Sequence, residues 1–251
     1  MPGKDTNIGA KRARQLREML GLECAAPLRC TLSLVERLLG LPVVIAALPD
    51  DVAGCCWRDG ERVVLWINGL DIPTRQRFTL AHELGHVRCG HDGAMPVDTF
   101  VTISGMPTDS REVQANAFAA ELLAPASGVR LIVDGHEPGL DDVVRVAATF
   151  GISPIAAVYR LGSLGLTLRQ HQLSAAVADG AHEASRQRLR APAVADAISR
   201  IRASDLPRLS PSLRNSALAA AIDGNASTNA VADAAGCDPR AIAGGVAWMT
   251  A

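Results

Sequence analysis

The feature that most constrains this chain is a His-Glu-x-x-His pattern at residues 82–86. On a helix, residues four apart differ by about 400° of rotation, so His82 and His86 project from one face, one turn apart. That spacing lets two imidazoles bind one Zn²⁺, while Glu83, beside the first ligand, reaches the attacking water. A carboxylate there can take the proton of the water and pass it to the leaving amine. The pattern predicts a helix carrying most of a hydrolytic zinc site; taken alone, it is equally compatible with polar residues on a solvated helix.

A hydrolytic zinc site needs a third protein ligand, with the fourth position left for water. His91 is the nearest candidate, but the metzincin spacing that would use a nearby histidine is broken at two positions. Residues 111–125 predict a helix that ends at Pro125, and Glu112 is the better candidate on it. Glu121 lies about 180° away from Glu112 on the same helix, so both cannot serve one site. We expect Glu121 to be solvated or to cap a helix; the competing interpretation of Glu112 is an ordinary surface carboxylate.

Two sequence blocks carry a family resemblance. The first is RFTLAHELGH at residues 77–86, and the second is the pattern E-x-x-A-N-x-F-A-x-E-L-L-x-P at residues 112–125. Together they resemble the ImmA/IrrE family of metallopeptidases, and the resemblance extends over about residues 25–165. The last 80 or so residues are not covered, which leaves regulation and partner choice open.

The resemblance implies a gluzincin-like zinc peptidase. It makes His82, His86 and Glu112 the metal ligands and Glu83 the general base. Characterised members of the family cut a partner transcriptional repressor. The resemblance therefore implies a protein substrate, with a DNA-binding repressor as the expected partner.

Three further residues are candidates for supporting roles. Asn116 shares a helix face with Glu112, so it is a candidate for orienting a metal ligand, although packing between helices is the competing interpretation. Tyr159, the only tyrosine in the chain, and His136, in a loop rich in glycine and proline, are candidate transition-state stabilisers. A packed tyrosine and a solvated histidine are the commoner alternatives.

The predicted fold class is α+β, with a small antiparallel sheet packed on a helical zinc-peptidase core. Residues 42–48, 52–57 and 62–67 read as strands, and the Asp-Gly turn between the last two joins them as a hairpin. An edge strand of this sheet could hold an extended substrate by main-chain pairing, or the sheet could be purely structural. The loop at residues 90–110 either shapes the substrate cleft or simply connects the two ligand helices.

We predict three regions: a basic N-terminal helix at 1–24, a zinc metallopeptidase domain at 25–168 and a helical C-terminal region at 169–251. The basic residues of the first helix favour a solvated face. The C-terminal region faintly resembles a helix-turn-helix, but its second helix offers Arg240 alone for phosphate or base contacts. We therefore expect it to serve protein contact or oligomerisation, and the oligomeric state is left open.

Composition argues against some partners. The net charge of −1 gives no global attraction to nucleic acid, so direct nucleic-acid binding is not expected. No apolar run is long enough to span a bilayer, and the first 22 residues lack the apolar core of a signal peptide. These features predict a cytoplasmic protein with no membrane partner. In that reducing compartment the six cysteines should be free thiols, and Cys89 is a candidate redox gate or a partly buried structural thiol.

These arguments predict a zinc-dependent intracellular endopeptidase that cleaves a partner protein, expected to be a transcriptional repressor, in a stress or mobile-element response. The alternative is a non-catalytic regulatory module that binds a repressor or DNA. Mn²⁺ or Fe²⁺ could occupy the same ligands in place of Zn²⁺, because geometry and metal supply decide that choice.

Overall fold

The computed structural model describes residues 3–46, 48, 52–59, 62–91, 98–99 and 108–166. The predicted helical region at 169–251 and its helix-turn-helix candidate lie outside the described residues. The helices are α1 (Lys4–Met19), α2 (Thr31–Ser33, continued by a π-helical turn, Leu34–Leu38), α3 (Pro73–Cys89), α4 (Ser110–Leu123), α5 (Ala126–Val133), α6 (Leu140–Phe150) and α7 (Pro154–Ser163). The strands are β1 (Val43–Ala46), β2 (Val52–Asp59), β3 (Arg62–Asn68) and β4 (Asp98–Thr99). The predicted α+β class is confirmed.

The sheet has the strand order β1-β3-β2-β4. Strands β2 and β3 form the predicted antiparallel hairpin, and β4 pairs antiparallel with β2. The prediction of a purely antiparallel sheet is wrong at one pairing, because β1 runs parallel to β3, with Val43 opposite Leu65. The reason lies in β3, whose residues 63–67 are all apolar and at most 1% exposed. Such a continuous apolar run takes the central position of a sheet, and the hairpin returns β3 in the direction of β1.

The N-terminal helix packs into the same core as the rest of the described chain. Ala13 and Leu16 of α1 are fully buried in the cluster that also contains residues of α3, α4 and β3. Arg17 is 3% exposed, and its guanidinium donates to three backbone carbonyls, those of Glu23, Ala26 and Leu122. The expectation of a solvated basic face is therefore wrong for Arg17, because these carbonyls replace water around its charge. The boundary at residue 24 stays a prediction.

Two glycines allow α1, α4 and α3 to approach closely. A Cβ added to Gly9 of α1 would lie 2.0 Å from the carbonyl oxygen of Gln114 on α4. A Cβ added to Gly85 of α3 would lie 3.0 Å from the Cα of Ala115 on α4. Because no side chain separates the backbones at these points, α4 lies tightly between the other two helices. This packing brings the first turn of α4 over the middle of α3.

The lengths of the helices in the described ranges bear on whether the chain could cross a membrane. No helix there is by itself long and apolar enough to cross a bilayer. Two bent helix pairs, α4 with α5 and α6 with α7, reach the required length and composition only in combination.

Candidate metal centre

Helix α3 supplies three of the candidate site residues. It begins with Pro73 at its first turn and ends at Gly90, whose φ of 70° lies in the left-handed region that favours glycine. His82, Glu83 and His86 are each at most 1% exposed. The Nε2 atoms of His82 and His86 point at the same space and lie 2.9 Å apart. The local rule that residues four apart share a helix face therefore places the two rings as the sequence predicts.

Glu112 meets these rings from the first turn of α4. The helix begins after Asp109, whose carboxylate accepts a hydrogen bond from the backbone N–H of Arg111 at 2.8 Å. The Glu112 carboxylate oxygens lie 3.3 Å from Nε2 of His82 and 3.5 Å from Nε2 of His86. The close approach of α3 and α4 at Gly85 thus brings together ligands that are 26 residues apart in the chain.

The three donors fit a zinc-sized ion. Ligands about 2.0 to 2.2 Å from a tetrahedral Zn²⁺ stand roughly 3.3 to 3.6 Å apart. The distances from Glu112 to the two rings, 3.3 and 3.5 Å, lie in this range, and the 2.9 Å between the two Nε2 atoms is somewhat shorter. All three donor atoms lie within 4.8 Å of one another. In the described ranges, they form the one group of at least three such side chains with donors this close. Two imidazoles and a carboxylate are also the donor set of known catalytic zinc sites.

The charge state of Glu112 suits a ligand. Burial acts to raise the pKa of its carboxyl, but its interactions with the neighbouring rings of His82 and His86 outweigh burial and hold that pKa below its ordinary value. The carboxylate is therefore ionised at neutral pH, as metal coordination requires.

Asn116 supports the first histidine. Its side-chain oxygen Oδ1 accepts a hydrogen bond from Nδ1–H of His82 at 2.8 Å. Because the proton sits on Nδ1, the lone pair of Nε2 is directed toward Glu112 and the space between the ligands. The geometry thus places Asn116 where the sequence proposed it, behind a ligand on the helix that also carries Glu112.

Glu83 is buried beside strand β2. A Cβ added to Gly54 of β2 would lie 3.0 Å from Oε1 of Glu83 and 2.6 Å from Cγ2 of Thr79. The missing side chain therefore leaves room for the Glu83 carboxylate between β2 and α3. Sequence reasoning overlooked Gly54, although a lone glycine within a predicted strand is a recognised sign of close approach by another group. The outer edge of β2 pairs with β4 at Gly54 and Val52; substrate pairing along β2 stays a prediction.

His91 is the other residue that sequence reasoning missed, since it was weighed only as a metal ligand. Its backbone N–H donates to the carbonyl of His86 at 3.1 Å, and its ring Nδ1 lies 2.9 Å from Nδ1 of His86. His91 therefore stands behind the second ligand and not in the ligand set. Burial is the main cause that lowers its pKa, so its ring is neutral at physiological pH. The glycine before it, which ends α3 and turns the chain back, is the one sequence signal for this placement.

The two candidate transition-state stabilisers are exposed side chains. Tyr159 on α7 is 56% exposed. His136 is also exposed, and its Nε2 lies 2.9 Å from the Oδ2 of Asp142 on α6. In the part of the chain that is described, no hydrogen bond joins either side chain to the metal ligands. Their proposed role stays a prediction without a supporting contact.

The carboxylate of Asp142 also anchors the start of α6. Burial acts to raise its pKa, but the N–H of Gly139 at 2.9 Å and the ring of His136 outweigh burial and lower the pKa below its ordinary value of 3.8. His136 thus has a structural partner, which accounts for its position.

The expectation that Glu121 is solvated is wrong. It is 3% exposed and forms a buried ion pair with Arg160 of α7, while Arg14 of α1 lies 3.6 Å from its other oxygen. The capping alternative fits, because Oε1 also accepts the backbone N–H of Ala126 at the start of α5, at 3.4 Å. Glu121 therefore joins helices on the side of α4 away from Glu112.

Cys89 has the properties of a structural thiol. Burial raises its pKa to about 11, against the opposing effect of nearby arginines. The sulfur is therefore protonated at neutral pH, whereas redox sensing depends on the thiolate. These properties favour the structural interpretation over a redox gate.

Comparison with known proteins supports the family resemblance. Residues 39–162 match the sequence model of a peptidase family described as the IrrE N-terminal-like domain. The matched range contains all three candidate ligands and Glu83. Over this stretch, just under half of the chain, the sequence is similar to that peptidase family.

Two curated relatives also match this chain. The radiation response metalloprotease IrrE of Deinococcus radiodurans is 29% identical over 159 residues, which cover 61% of this chain and 46% of the relative. The protein of the same name from Deinococcus deserti is 29% identical over 161 residues, covering 62% of this chain and 55% of the relative. The chain thus spans about half the length of the curated relatives it matches. The matched region is shared with both relatives, and the rest of each relative lies outside the match.

Proposed function

We propose that this protein is a zinc-dependent intracellular endopeptidase that cuts a partner protein. The observation that carries the proposal is the convergence of His82, His86 and Glu112 in a buried site with Glu83 on the same helix. Similarity to a metallopeptidase family supports peptide-bond hydrolysis as the reaction.

Each side chain has a distinct task in this reaction. His82, His86 and Glu112 would hold the ion, and Asn116 orients the ring of His82. A bound zinc ion would supply a Lewis acid that acidifies water and polarises the scissile carbonyl. Glu83 accepts the proton of the attacking water and delivers it to the leaving amine. The space left by Gly54 lets the Glu83 carboxylate remain in a buried position, where a charged base gains most from a nearby cation.

The proposed substrate is a DNA-binding repressor, cleaved in a stress or mobile-element response in the cytoplasm. The resemblance to the ImmA/IrrE family supports this choice. The matched relatives are named as radiation response metalloproteases, which supports a stress role. Free thiols at Cys24 and Cys89 are in keeping with a reducing compartment.

The decisive experiment compares new protein N-termini in native cells that express the wild type or Glu83→Gln under stress. Glutamine keeps the shape of the side chain but cannot take a proton, so we expect zinc binding to persist and cleavage to stop. Glu137→Gln, the same exchange at an exposed position, is the matched control and should cleave like the wild type. A new terminus in a DNA-binding repressor, formed by the wild type and the control but absent in Glu83→Gln, is the expected result.

Two outcomes would contradict the proposal. Cleavage retained in Glu83→Gln would remove Glu83 from the role of base. No new terminus with the wild type, although zinc is bound, would favour the non-catalytic regulatory module. Glu112→Ala tests the ligand set independently: we expect loss of zinc, and unchanged metal content would place the third ligand elsewhere.

A further inference from the structure

A chain of three hydrogen bonds leads outward from the second metal ligand to the N-terminal helix. Nδ1 of His86 lies 2.9 Å from Nδ1 of His91, and Nε2 of His91 lies 3.2 Å from Oε1 of Gln114. The amide nitrogen of Gln114 then donates to Oδ1 of Asp5 at 2.8 Å. These three hydrogen bonds therefore join the end of α3, the first half of α4 and the first turn of α1.

The direction of each hydrogen bond follows from Asp5, the outermost residue of the series. The carboxylate of Asp5 can only accept, so the Gln114 amide turns its nitrogen to Asp5 and its oxygen to His91. Because that oxygen also only accepts, Nε2 of His91 carries the proton. Nδ1 of the neutral His91 ring then accepts the proton from Nδ1 of His86. The Nε2 lone pair of His86 is left facing Glu112, in the geometry that a metal ligand needs.

We propose that His91, Gln114 and Asp5 are positioning residues that fix the ring orientation and tautomer of His86, so that the N-terminal helix is part of the metal site. The proposal rests on the proposed function only in taking His86 as a zinc ligand. His91 is the direct partner, Gln114 sets the tautomer of His91, and Asp5 sets the orientation of the Gln114 amide.

The packing of the helices provides an independent reason for this arrangement. Gly9 lies one turn after Asp5 on α1, and a Cβ there would lie 2.0 Å from the Gln114 carbonyl oxygen. This contact holds α1 against α4 at Gln114 itself, so the short Asp5 side chain can reach the Gln114 amide. The His91 end is held equally well, because its backbone N–H is bonded to the His86 carbonyl.

The two histidine ligands consequently depend on different parts of the protein. His82 is oriented by Asn116, which lies on the same helix as Glu112. His86 depends on residues from outside the two ligand helices, namely Asp5 and His91. Loss of an outer partner of a metal ligand typically weakens metal binding by about 10- to 100-fold. We expect an effect of that size for His91 and a smaller effect in the same direction for Asp5.

The first test measures zinc affinity of the purified full chain by competition with a chromogenic chelator. His91→Phe fills the space but has no ring nitrogen, so we expect about 10- to 100-fold weaker binding. His91→Asn is the matched control, since its Oδ1 can take the place of Nδ1 as acceptor and should retain most of the affinity. The ¹⁵N shifts of the His86 ring supply a second readout: they should report Nδ1–H in the wild type and His91→Asn, and mixed tautomers in His91→Phe.

The second test addresses the far end of the chain of bonds. Asp5→Ala should weaken zinc binding, whereas Asp5→Asn, which keeps an acceptor oxygen, should not. In the His91→Phe background, Asp5→Ala should have no further effect, because the connection to His86 is already broken. Equal and additive losses in both backgrounds would show that Asp5 acts on general stability, and would overturn its role in positioning.

The outcomes separate this proposal from the proposed function. If the wild type binds zinc and His91→Phe binds it equally tightly, the positioning role is refuted whether or not the enzyme cleaves a protein. If His91→Phe loses affinity and His91→Asn regains it while no substrate is cut, the positioning role holds and the peptidase proposal fails. A wild type that binds no zinc would overturn both.

Discussion

Replacing Gly85 by alanine should weaken zinc binding without unfolding the domain. Gly85 lies between the two histidines of the motif, on the side of α3 that touches α4. A Cβ there would lie 3.0 Å from the Cα of Ala115, 3.1 Å from its carbonyl oxygen and 3.2 Å from Cβ of Phe118. The first two are backbone atoms, so a change of side-chain rotamer cannot relieve the contact. Helix α4 itself must move away from α3.

The size of the movement follows from these distances. An ordinary contact of a Cβ begins at 3.4 Å, so the 3.0 Å contact requires a displacement of about 0.4 Å. Metal–ligand distances tolerate about 0.2 Å, and Glu112 lies one turn before Ala115 on the helix that moves. We therefore expect about 10- to 100-fold weaker zinc binding, the loss seen when ligand placement is disturbed. Overpacking costs about 1–3 kcal/mol of stability, offset by about 1 kcal/mol of better helix propensity, so the metal-free domain should remain folded.

The assay pairs zinc titration with unfolding of the metal-free protein, followed by far-ultraviolet circular dichroism in urea. Gly3→Ala is the matched control, because a Cβ at that position would meet nothing within 4 Å. It should leave zinc affinity unchanged. Because Gly3 is the N-cap of α1, where glycine is preferred to alanine, the stability of this variant should fall by no more than about 1 kcal/mol. Wild-type zinc affinity in Gly85→Ala would refute the reasoning, since it would mean that the spacing of α3 and α4 does not set the position of Glu112. A large loss of stability together with the loss of zinc would equally show that the effect is not local.

Three other changes test separate parts of the structure. A Cβ at Gly54 would lie 2.6 Å from both Cγ2 of Thr79 and the carbonyl oxygen of Trp66, so relieving these contacts moves β2 and α3 apart by about 0.8 Å. Gly54→Ala should therefore displace Glu83 and lower turnover by about 100-fold with zinc affinity nearly unchanged, because a misplacement near 1 Å can cost that much in rate. Loss of zinc instead would show that β2 supports the ligands and not the base. Asn116→Leu should weaken zinc binding by about 10- to 100-fold, whereas Asn116→Asp, which still accepts from His82, should bind zinc nearly as well as the wild type; equal losses in both would contradict the hydrogen-bonding role. Because the pKa of Asp142 is lowered in the folded state, its ionisation stabilises the fold above its ordinary pKa of 3.8, and this contribution is lost as the pH falls through the folded-state pKa. In urea unfolding, Asp142→Asn should therefore be less stable than the wild type at pH 6, and the two proteins should become equally stable in acid. A constant difference in stability at every pH would disprove this linkage.

Features that depend on local spacing could be predicted from the sequence. The pairing of His82 with His86 follows from helix geometry alone, and the β2–β3 hairpin follows from two apolar runs around an Asp-Gly turn. Glu112 was separable from Glu121 because nine residues of helix place them on opposite sides. Glu112 was preferred to Glu121 before the family resemblance was considered, and the resemblance supports that choice. A wheel projection by itself gives no information about which side meets α3.

Features that depend on distant partners could not be predicted in this way. Glu121 is buried because Arg160, 39 residues away, neutralises it, and no local pattern announces that partner. The parallel pairing of β1 with β3 depends on which strand takes the centre of the sheet. His91 was judged by its spacing from His86 as a ligand, whereas its observed contact arises because the chain turns back at Gly90.

The sequence by itself determined the chemistry of this protein: which residues can bind a metal ion, which can move a proton, and that two of the ligands share one helix face. Only the tertiary structure decided how that chemistry is assembled. Glu112 reaches the two histidines because α3 and α4 touch at a glycine, and Asp5 reaches His86 through Gln114 and His91 because α1 and α4 touch at another. The physical reason is that helix geometry acts over a few residues, whereas the distances between helices are set by side-chain volumes at contacts far apart in the chain.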